Sequence, residues 1–494
     1  MTFYQQLEQH YKKMAKLEHL AAICRWDQAT MMPEGGNQAR SEALAELAVL
    51  HHQQATDIKL KVWFSEVDRE PLSKEQRASV IEMKRQWQQA NLLPSDLVEA
   101  QSLAANKCEH AWRSQRGKND WQSYSTNLEK VVKLARQEAQ IRADATGLSR
   151  YDALLDLYEP GMTSKQLDIL FDEVKSWLPE LIEQIQEKQI HDQVILPLGP
   201  FPVAQQQQLS LAMMEKLGFD FNHGRLDIST HPFCGGVPTD VRITTRYDEN
   251  DFTSALMGVI HETGHARYEQ GLPEKWSGLP VGKARSMGIH ESQSLFFEMQ
   301  ISRSENFIEL IAPAAAEQFN RIDDPAITAE NLTLLNTRVT PGYIRVDADE
   351  VTYPAHVILR YEIERDLING HINVADIPEL WDRKMSEYLG LSTKGNFTDG
   401  CMQDIHWSFG SFGYFPSYTL GAMYAAQFMA AMSKEMNVAN LIRERNLQPI
   451  FNWLDRHVWK RGSTVSTEQI LIDATGESLN ASYFKEHLIA RYLN

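Results

Sequence analysis

Apolar side chains recur every three or four positions along most of the chain, which is the spacing of one face of an α-helix. Residues 3–26 show the pattern first, with Leu7, Tyr11, Met14, Leu17 and Leu20 in register. Further stretches with this spacing lie at residues 41–55, 79–93, 163–189 and from 329 to the C-terminus. No repeat period and no low-complexity linker interrupts the chain. The pattern predicts a mainly α fold, with one large helical body as a single domain over residues 1–494.

One region departs from the helical pattern. About residues 225–248 place β-branched side chains at alternate positions, at Val241, Ile243 and Thr245, after a Gly-Gly pair and two prolines. Alternation of this kind between turn residues predicts short strands, and we expect a small antiparallel sheet. An exposed strand of this kind can hold an extended chain by backbone pairing.

The segment FTSALMGVIHETGHARYEQG at residues 252–271 follows that region directly. His261 and His265 are four positions apart, so on a helix both imidazoles lie on one face and can bind one ion. Glu262 projects about 100° away from His261, near the metal without being bound to it. This arrangement is typical of a catalytic zinc site in which the glutamate is the base that activates a zinc-bound water.

The boundaries of this helix are also visible in the sequence. Asn250 or Asp251 can cap its start, and Gly271 supplies its end. Two glycines, Gly258 and Gly264, lie inside the helix, and each costs roughly 1 kcal/mol relative to alanine. Close packing of another element or a ligand would explain them.

A catalytic zinc ion usually has three protein ligands and one open position, so a third ligand is needed. The next helical segment, residues 288–307, offers Glu291, which lies 26 positions after His265. His290 is the alternative and would give a three-histidine site. Glu298, two turns further on, is placed to orient a ligand histidine.

Composition and charge exclude several other classes of protein. A net charge of -17 argues against a nucleic-acid-binding surface. Four cysteines without a CxxC pair predict free thiols, and neither a disulfide framework nor a cysteine zinc site. No stretch approaches the roughly 20 apolar residues of a membrane helix, and the N-terminus has no signal-peptide pattern. We expect a cytoplasmic protein that does not bind membranes.

Seven short segments together resemble one known family. They are WDQATMMPEGG at 26–36, HPF at 231–233, DVRIT at 240–244, HETGH at 261–265, HESQS at 290–294, IRVDAD at 344–349 and GCMQDIHW at 400–407. In this order they are similar to the Taq-type thermostable carboxypeptidases, which are zinc metallocarboxypeptidases of the gluzincin kind. The resemblance spans nearly the whole chain.

The resemblance implies roles for four residues. His261, His265 and Glu291 would bind one zinc ion per subunit, for which cobalt can substitute, and Glu262 would be the general base. It also implies an almost all-helical fold with a deep groove and a small sheet beside it. The implied activity removes residues one at a time from the C-terminus of peptides, with broad specificity and proline disfavoured, and the implied assembly is a homodimer. The chain departs from the family pattern I-R-x-E-A-D at Asp347, which keeps the charge of the usual glutamate but has a shorter reach.

Two further groups are required by this chemistry. An oxyanion needs a hydrogen-bond donor, and His406, Tyr414 and Tyr418 are the candidates. The terminal carboxylate of the substrate needs a cation, preferably an arginine, for which Arg345 is the first candidate and Arg242 the second.

The remaining polar candidates have less defined roles. His231 would contact the substrate or fix the turn before the Gly-Gly pair. Asp240, Asp349 and Asp404 are expected to orient these side chains, or to form ordinary ion pairs.

Two alternatives stay open at this point. One is an oligopeptidase with the same zinc chemistry that cuts inside short peptides. The other is a helical metal-binding protein without hydrolase activity, which the presence of Glu262 argues against. The donor set also accommodates cobalt or manganese.

Overall fold

The computed structural model describes all 494 residues, of which 69% are helical. The mainly α fold is therefore confirmed. Four helices precede the main body: α1 Phe3–Thr30, α2 Asn37–Ala55, α3 Ile58–Glu66 and α4 Lys74–Leu92. Leu7, Tyr11 and Met14 are buried between α1, α3 and α4, as their spacing predicts. Leu17 is only half-buried and Leu20 is exposed, because the second half of α1 leaves this small core and extends along the sheet.

The second group of helices, before the sheet, consists of α5 Ser95–Gly117, α6 Trp121–Thr146, α7 Arg150–Leu155, α8 Ser164–Gln189 and α9 Val203–Lys216. Thr163 is the N-cap of α8 and forms a capping box with Gln166. Leu167 on α8 is buried in the main core.

Eleven helices follow the sheet. Near the site they are α10 Phe252–Gly271, α11 Met287–Leu295 and its π-helical continuation Phe296–Ser302. The others are α12 Glu305–Gln318, α13 Ala329–Asn336, α14 Tyr353–Asn369, α15 Ile377–Leu389, α16 Pro416–Glu435, α17 Val438–Arg443, α18 Gln448–His457, α19 Thr467–Thr475 and α20 Ser482–Tyr492. Together with α5 to α9 they enclose the largest hydrophobic core. None of the helices is both long and apolar enough to cross a membrane.

The small sheet lies where it was predicted, with strands β1 Gly224–Ile228, β2 Phe233–Val237 and β3 Asp240–Thr245. Its topology is mixed and not purely antiparallel. A tight turn joins β2 to β3 as an antiparallel hairpin, whereas β1 pairs in parallel with the other edge of β3. The strand order β1-β3-β2 follows because residues 229–232 carry the chain past β3 to its far edge.

The sheet packs against the back of α10. Val241 and Ile243 on β3 form a small core with Val259 and Ala266 on α10. Asp251 caps α10 by accepting hydrogen bonds from the backbone N–H groups of two residues in the first turn of the helix. Of the two predicted caps, Asn250 and Asp251, the structure therefore has Asp251. The opposite face of α10 is left for the histidines.

The two glycines inside α10 have different surroundings. A Cβ atom on Gly264 would contact the carbonyl oxygen of Gln293 and lie 2.6 Å from Cα of Ser294, so α11 crosses α10 at this point. A Cβ atom on Gly258 would meet nothing within 4 Å. Close packing therefore explains Gly264, and it does not explain Gly258.

We expect the Gly258→Ala and Gly264→Ala variants to change stability in opposite directions. Gly258→Ala gains helix propensity and should raise the free energy of unfolding by about 0.5–1 kcal/mol. Gly264→Ala forces α10 and α11 apart and should lower it by roughly 1–3 kcal/mol. Urea denaturation of both variants measures this difference. Equal effects at the two positions would contradict the close approach.

Candidate active site

A cavity of about 680 Å³ opens beside α10 and takes the position of the expected groove. Its walls come from β2, α10, α11, the π-helical segment, residues 345–354 and α16. Both polar and apolar side chains line it: Pro232, Phe233, Cys234, His261, Glu262, His265, Met287, His290, Glu291, Leu295, Glu298, Met299, Arg303, Arg345, Val346, Ala348, Glu350, Tyr353, Pro354, Tyr414, Tyr418 and Ala422.

Three side chains in this cavity converge on one point. Nitrogen atoms of His261 and His265 and a carboxylate oxygen of Glu291 all lie within 4.8 Å of one another. Oε2 of Glu291 is 3.4 Å from Nε2 of His265 and 3.9 Å from Nε2 of His261. Two imidazole nitrogens and one carboxylate oxygen form a donor set that fits a catalytic zinc ion with one open position.

The other ring nitrogen of each histidine is held by a partner. Nδ1 of His261 donates a hydrogen bond to Oε2 of Glu298 at 2.9 Å, as the sequence indicated. Nδ1 of His265 lies 2.6 Å from Nδ1 of His290, whose Nε2 is 2.9 Å from Oε1 of Glu269. These bonds fix the ring orientations and leave both Nε2 atoms facing Glu291.

The same contacts distinguish the two candidates for the third ligand. Both nitrogens of His290 are engaged, one with His265 and one with Glu269. The carboxylate of Glu291 faces both His261 and His265. The geometry therefore favours Glu291 over His290 as the third donor.

Glu298 is held in turn by Arg303. Nη2 of Arg303 is 2.9 Å from Oε1 of Glu298, and the backbone N–H of Arg303 donates to the carbonyl of Glu298 at 3.0 Å. That backbone bond spans five residues, which is the pattern of a π-helix. Because the π-helical turn aligns residues five apart, the guanidinium comes beside the carboxylate.

Helix α16 positions Glu291 by direct packing. A Cβ atom on Gly421 would lie 2.6 Å from Cγ and 2.7 Å from Cβ of Glu291. Any larger residue at position 421 would displace the stem of that side chain. The first turn of α11 is also fixed, because Ser286 caps the helix and the carboxylate of Glu159 accepts a hydrogen bond from the N–H of Gly288.

Burial and neighbouring charges shift the protonation of these groups. Burial raises the pKa of the Glu262 carboxylate to about 7. Burial alone would lower the pKa of His261, but hydrogen bonding to Glu298 and the charge of Glu291 outweigh it and raise the pKa to about 10. Burial lowers the pKa of His265 to about 4.

Arg345 lines the same cavity and is 5% exposed. Its Nε and Nη2 atoms lie 3.0 and 2.9 Å from Oδ1 of Asp404, and its Nη1 donates to the hydroxyl of Tyr353 at 2.6 Å. Asp404 also accepts from Arg360, which is fully buried. Burial by itself would raise the pKa of Asp404, but the two guanidinium groups outweigh it and hold that pKa well below its usual range.

The three candidate oxyanion donors occupy different places. Tyr414 and Tyr418 line the cavity, with ring centroids 5.3 Å apart. His406 does not line it, and its Nε2 lies 3.2 Å from the hydroxyl of Tyr418. The structure therefore brings the two tyrosines to the cavity and places His406 behind Tyr418.

Two further candidates lie at the sheet and not in the cavity wall. Arg242 donates from Nε to Oδ1 of Asp240 at 2.5 Å, and its guanidinium covers the ring of Trp26 at 4.4 Å. His231 is exposed in the loop before β2, next to Pro232, which does line the cavity. Contact of either residue with a substrate stays a prediction.

The three aspartates proposed as orienting groups all bind polar neighbours. Asp404 and Asp240 each pair with an arginine of the candidate set. Asp349 accepts backbone hydrogen bonds from Thr340, Val351 and Thr352, so it shapes the loop that carries Arg345. The side chain of Asp347, where the chain departs from the family pattern, is exposed and lies outside the cavity wall.

Similarity to known proteins agrees with this geometry. The family model described as carboxypeptidase Taq (M32) metallopeptidase matches residues 6–492. The chain belongs to the M32 carboxypeptidase family. It is 36% identical to thermostable carboxypeptidase 1 of Thermus thermophilus, with 99% of this chain and 98% of that protein covered. It is also 37% identical to carboxypeptidase 1 of Bacillus subtilis, over 98% of this chain and 96% of that one.

A solved structure of an M32 relative has the same fold. The chain is similar to Trypanosoma cruzi metallocarboxypeptidase 1, with a TM-score of 0.97 and 46% sequence identity over 100% of this chain and 99% of that one. The predicted family is thereby confirmed, and this M32 protein is a metallocarboxypeptidase. Its family implies a bound metal ion, and the donor set of His261, His265 and Glu291 fits one.

Sequence reasoning missed several residues around this M32 site. Glu269 lies four positions after His265, so helical spacing alone places it near the histidines. Tyr353, which binds Arg345, and Gly421, which packs on Glu291, carry no such signal. Their contacts depend on helices that are distant in the sequence.

We expect the Glu298→Ala variant to weaken metal binding by about 10–100-fold, because His261 loses the group that fixes its ring. Titration of metal-free protein with zinc in competition with a chelating dye measures this change. Glu309→Ala, on the exposed face of α12, is the matched control and should bind metal as the wild type does. Wild-type affinity in Glu298→Ala would contradict an orienting role for Glu298.

Proposed function

We propose that this protein is a zinc-dependent carboxypeptidase that hydrolyses the C-terminal peptide bond of peptides with broad specificity. The observation that carries the proposal is one cavity that holds both the donor set on α10 and α11 and the guanidinium of Arg345. The donor set suits bond cleavage, and the guanidinium suits recognition of a free carboxylate. The disfavouring of proline rests on the family resemblance alone.

His261, His265 and Glu291 would hold the zinc ion. When bound there, zinc would polarise the scissile carbonyl and lower the pKa of a water molecule. The fit rests on two nitrogen donors and one oxygen donor. It also rests on the Nδ1 atoms of His261 and His265, which are hydrogen-bonded to Glu298 and His290 and so leave the Nε2 atoms for the metal. Cobalt would be accepted by the same donors.

Glu262 would move the protons of the reaction. It lines the cavity next to the donor set without belonging to it. Its carboxylate takes a proton from the attacking water and then gives it to the nitrogen of the leaving amino acid. The pKa of about 7 that burial produces suits both steps.

Arg345 would bind the C-terminal carboxylate of the substrate. Asp404 and Tyr353 hold its guanidinium in place, so little side-chain freedom is lost on binding. Tyr414 and Tyr418 line the same cavity and would supply hydroxyl donors for the oxyanion. His406 would act through its contact with Tyr418.

The oligomeric state and the substrate class of the enzyme belong to the same proposal. We expect a homodimer that acts on peptides, because the family resemblance implies this assembly and this class of substrate. Sedimentation velocity measures the assembly directly.

We expect the Glu262→Gln variant to bind zinc as the wild type does and to lose activity by about 10²–10⁴-fold, because the base is removed and the donor set is kept. Metal content by atomic emission and hydrolysis of an N-blocked dipeptide measure the two effects. Glu274→Gln, at an exposed position just after α10, is the matched control. Loss of zinc together with activity would make Glu262 structural.

We expect the enzyme to cleave a C-terminally amidated peptide about 10–100-fold more slowly than the free acid, because a charge-assisted bond to Arg345 is lost. The Arg345→Lys variant should lower kcat/KM for the free acid and so reduce the acid-to-amide ratio of kcat/KM. Arg242→Lys should leave the ratio unchanged, because Asp240 holds that arginine at the sheet. Equal cleavage of acid and amide would favour an oligopeptidase instead.

A further inference from the structure

Two arginines share the carboxylate of Asp404. Nε of Arg360, on α14, donates to Oδ2 of Asp404 at 2.6 Å, whereas Nε and Nη2 of Arg345 donate to Oδ1. Asp404 is the one acidic residue that forms an ion pair with either guanidinium group. Because two buried cations share one anion, one positive charge in this cluster is left over.

Neighbouring titratable groups do not balance this charge. Burial lowers the pKa of His356 to about 3 and the pKa of His406 to about 4, so both rings are neutral at pH 7. Glu364, four residues after Arg360, forms no ion pair within 4.0 Å with either guanidinium group. Its carboxylate accepts a hydrogen bond from Nε1 of Trp407 instead.

Arg360 cannot touch a substrate in the active-site cavity. Its side chain is 0% exposed, and it does not line the cavity. Its guanidinium covers the ring of Trp381 at 4.5 Å, and its Nη1 donates to the carbonyl of His356 at 2.6 Å. Any effect of Arg360 on a substrate must therefore act through Asp404.

Arg345 keeps free hydrogen-bond donors in the same cavity. An arginine side chain has five N–H donors. Arg345 uses three of them, two toward Asp404 and one toward the hydroxyl of Tyr353. One N–H on each Nη atom is left, and a carboxylate can accept two such bonds from one guanidinium.

We propose that Arg360 is a positioning residue for recognition of the terminal carboxylate of the substrate. It binds one oxygen of Asp404, which directs the other oxygen to Arg345. It also offsets the charge of Asp404, so that Arg345 retains a positive charge for the substrate. Without Arg360, Arg345 and Asp404 would form a neutral pair, which attracts a second carboxylate only weakly. The inference rests on the proposed role of Arg345.

The test removes the charge of Arg360 and keeps the length of its side chain. The zinc-loaded Arg360→Met enzyme is compared with the wild type on an N-blocked dipeptide, as the free acid and as the C-terminal amide. We expect the acid-to-amide ratio of kcat/KM to fall by about tenfold, mainly through a higher KM for the acid. Arg360→Lys keeps the charge and should recover part of this loss.

The matched control is Arg365→Met. Arg365 lies five residues later on α14 and pairs with Asp168 and Asp366, away from the cavity. This variant should keep the wild-type ratio. Zinc content and circular dichroism show that each variant is folded and loaded with metal.

A double variant separates the loss of charge from general damage. In Arg360→Met, Asp404 neutralises Arg345. Adding Asp404→Asn removes that anion and leaves Arg345 as the one charged group of the cluster. The double variant should therefore have a higher acid-to-amide ratio than Arg360→Met. If Arg360 served only for packing, the second substitution would lower the ratio further.

The outcomes separate this inference from the proposed function. A wild-type ratio in Arg360→Met, or a lower ratio in the double variant than in Arg360→Met, would overturn the positioning role alone. Equal cleavage of acid and amide by the wild type would overturn the proposed function and this inference with it. If Arg360→Met does not fold, Arg360→Gln, which keeps a donor for Asp404, is measured in its place with the same expected loss.

Discussion

The close approach of α11 to α10 at Gly264 is the contact on which the active site depends. His261 and His265 lie on α10 and Glu291 lies on α11, so the donor set exists only while the two helices touch. No Cβ atom can be placed at position 264 without meeting the backbone of α11. Gly421 on α16 closes the arrangement from the other side, because it packs on the stem of Glu291. Backbone contacts of this kind set distances more rigidly than side chains do.

Hydrogen bonds then determine which atoms face the metal position. Glu298 and His290 each occupy the Nδ1 atom of one histidine, and Arg303 and Glu269 hold those two partners. The cost of burying this many charged groups is offset because each is paired, except where a metal ion would complete the set. Arg345, which lines the same cavity, is fixed in a similar way by Asp404. The cavity thus holds both the donor set that fits a metal ion and a fixed guanidinium group.

Local patterns predicted the helices well where one face meets a core. The burial of Leu7, Tyr11 and Met14 on α1 and the extent of α10 follow from spacing and cap residues. The pattern failed at Leu20, which has helical spacing but is 54% exposed. The pattern also could not predict the strand order, because alternating apolar residues indicate a strand but not the strand with which it pairs.

The sequence by itself determined the chemistry of α10: two histidines and a glutamate at helical spacing, between a cap and a glycine. It narrowed the third ligand to neighbours in one segment, and the resemblance to the M32 family favoured Glu291. The tertiary structure adds a physical reason to favour Glu291, because both nitrogens of His290 are already hydrogen-bonded. Likewise, Arg345 and Arg242 are equivalent as residue types, yet only Arg345 lines the cavity. Spacing along one helix fixes angles within that helix, whereas contacts between distant segments arise only when the chain folds.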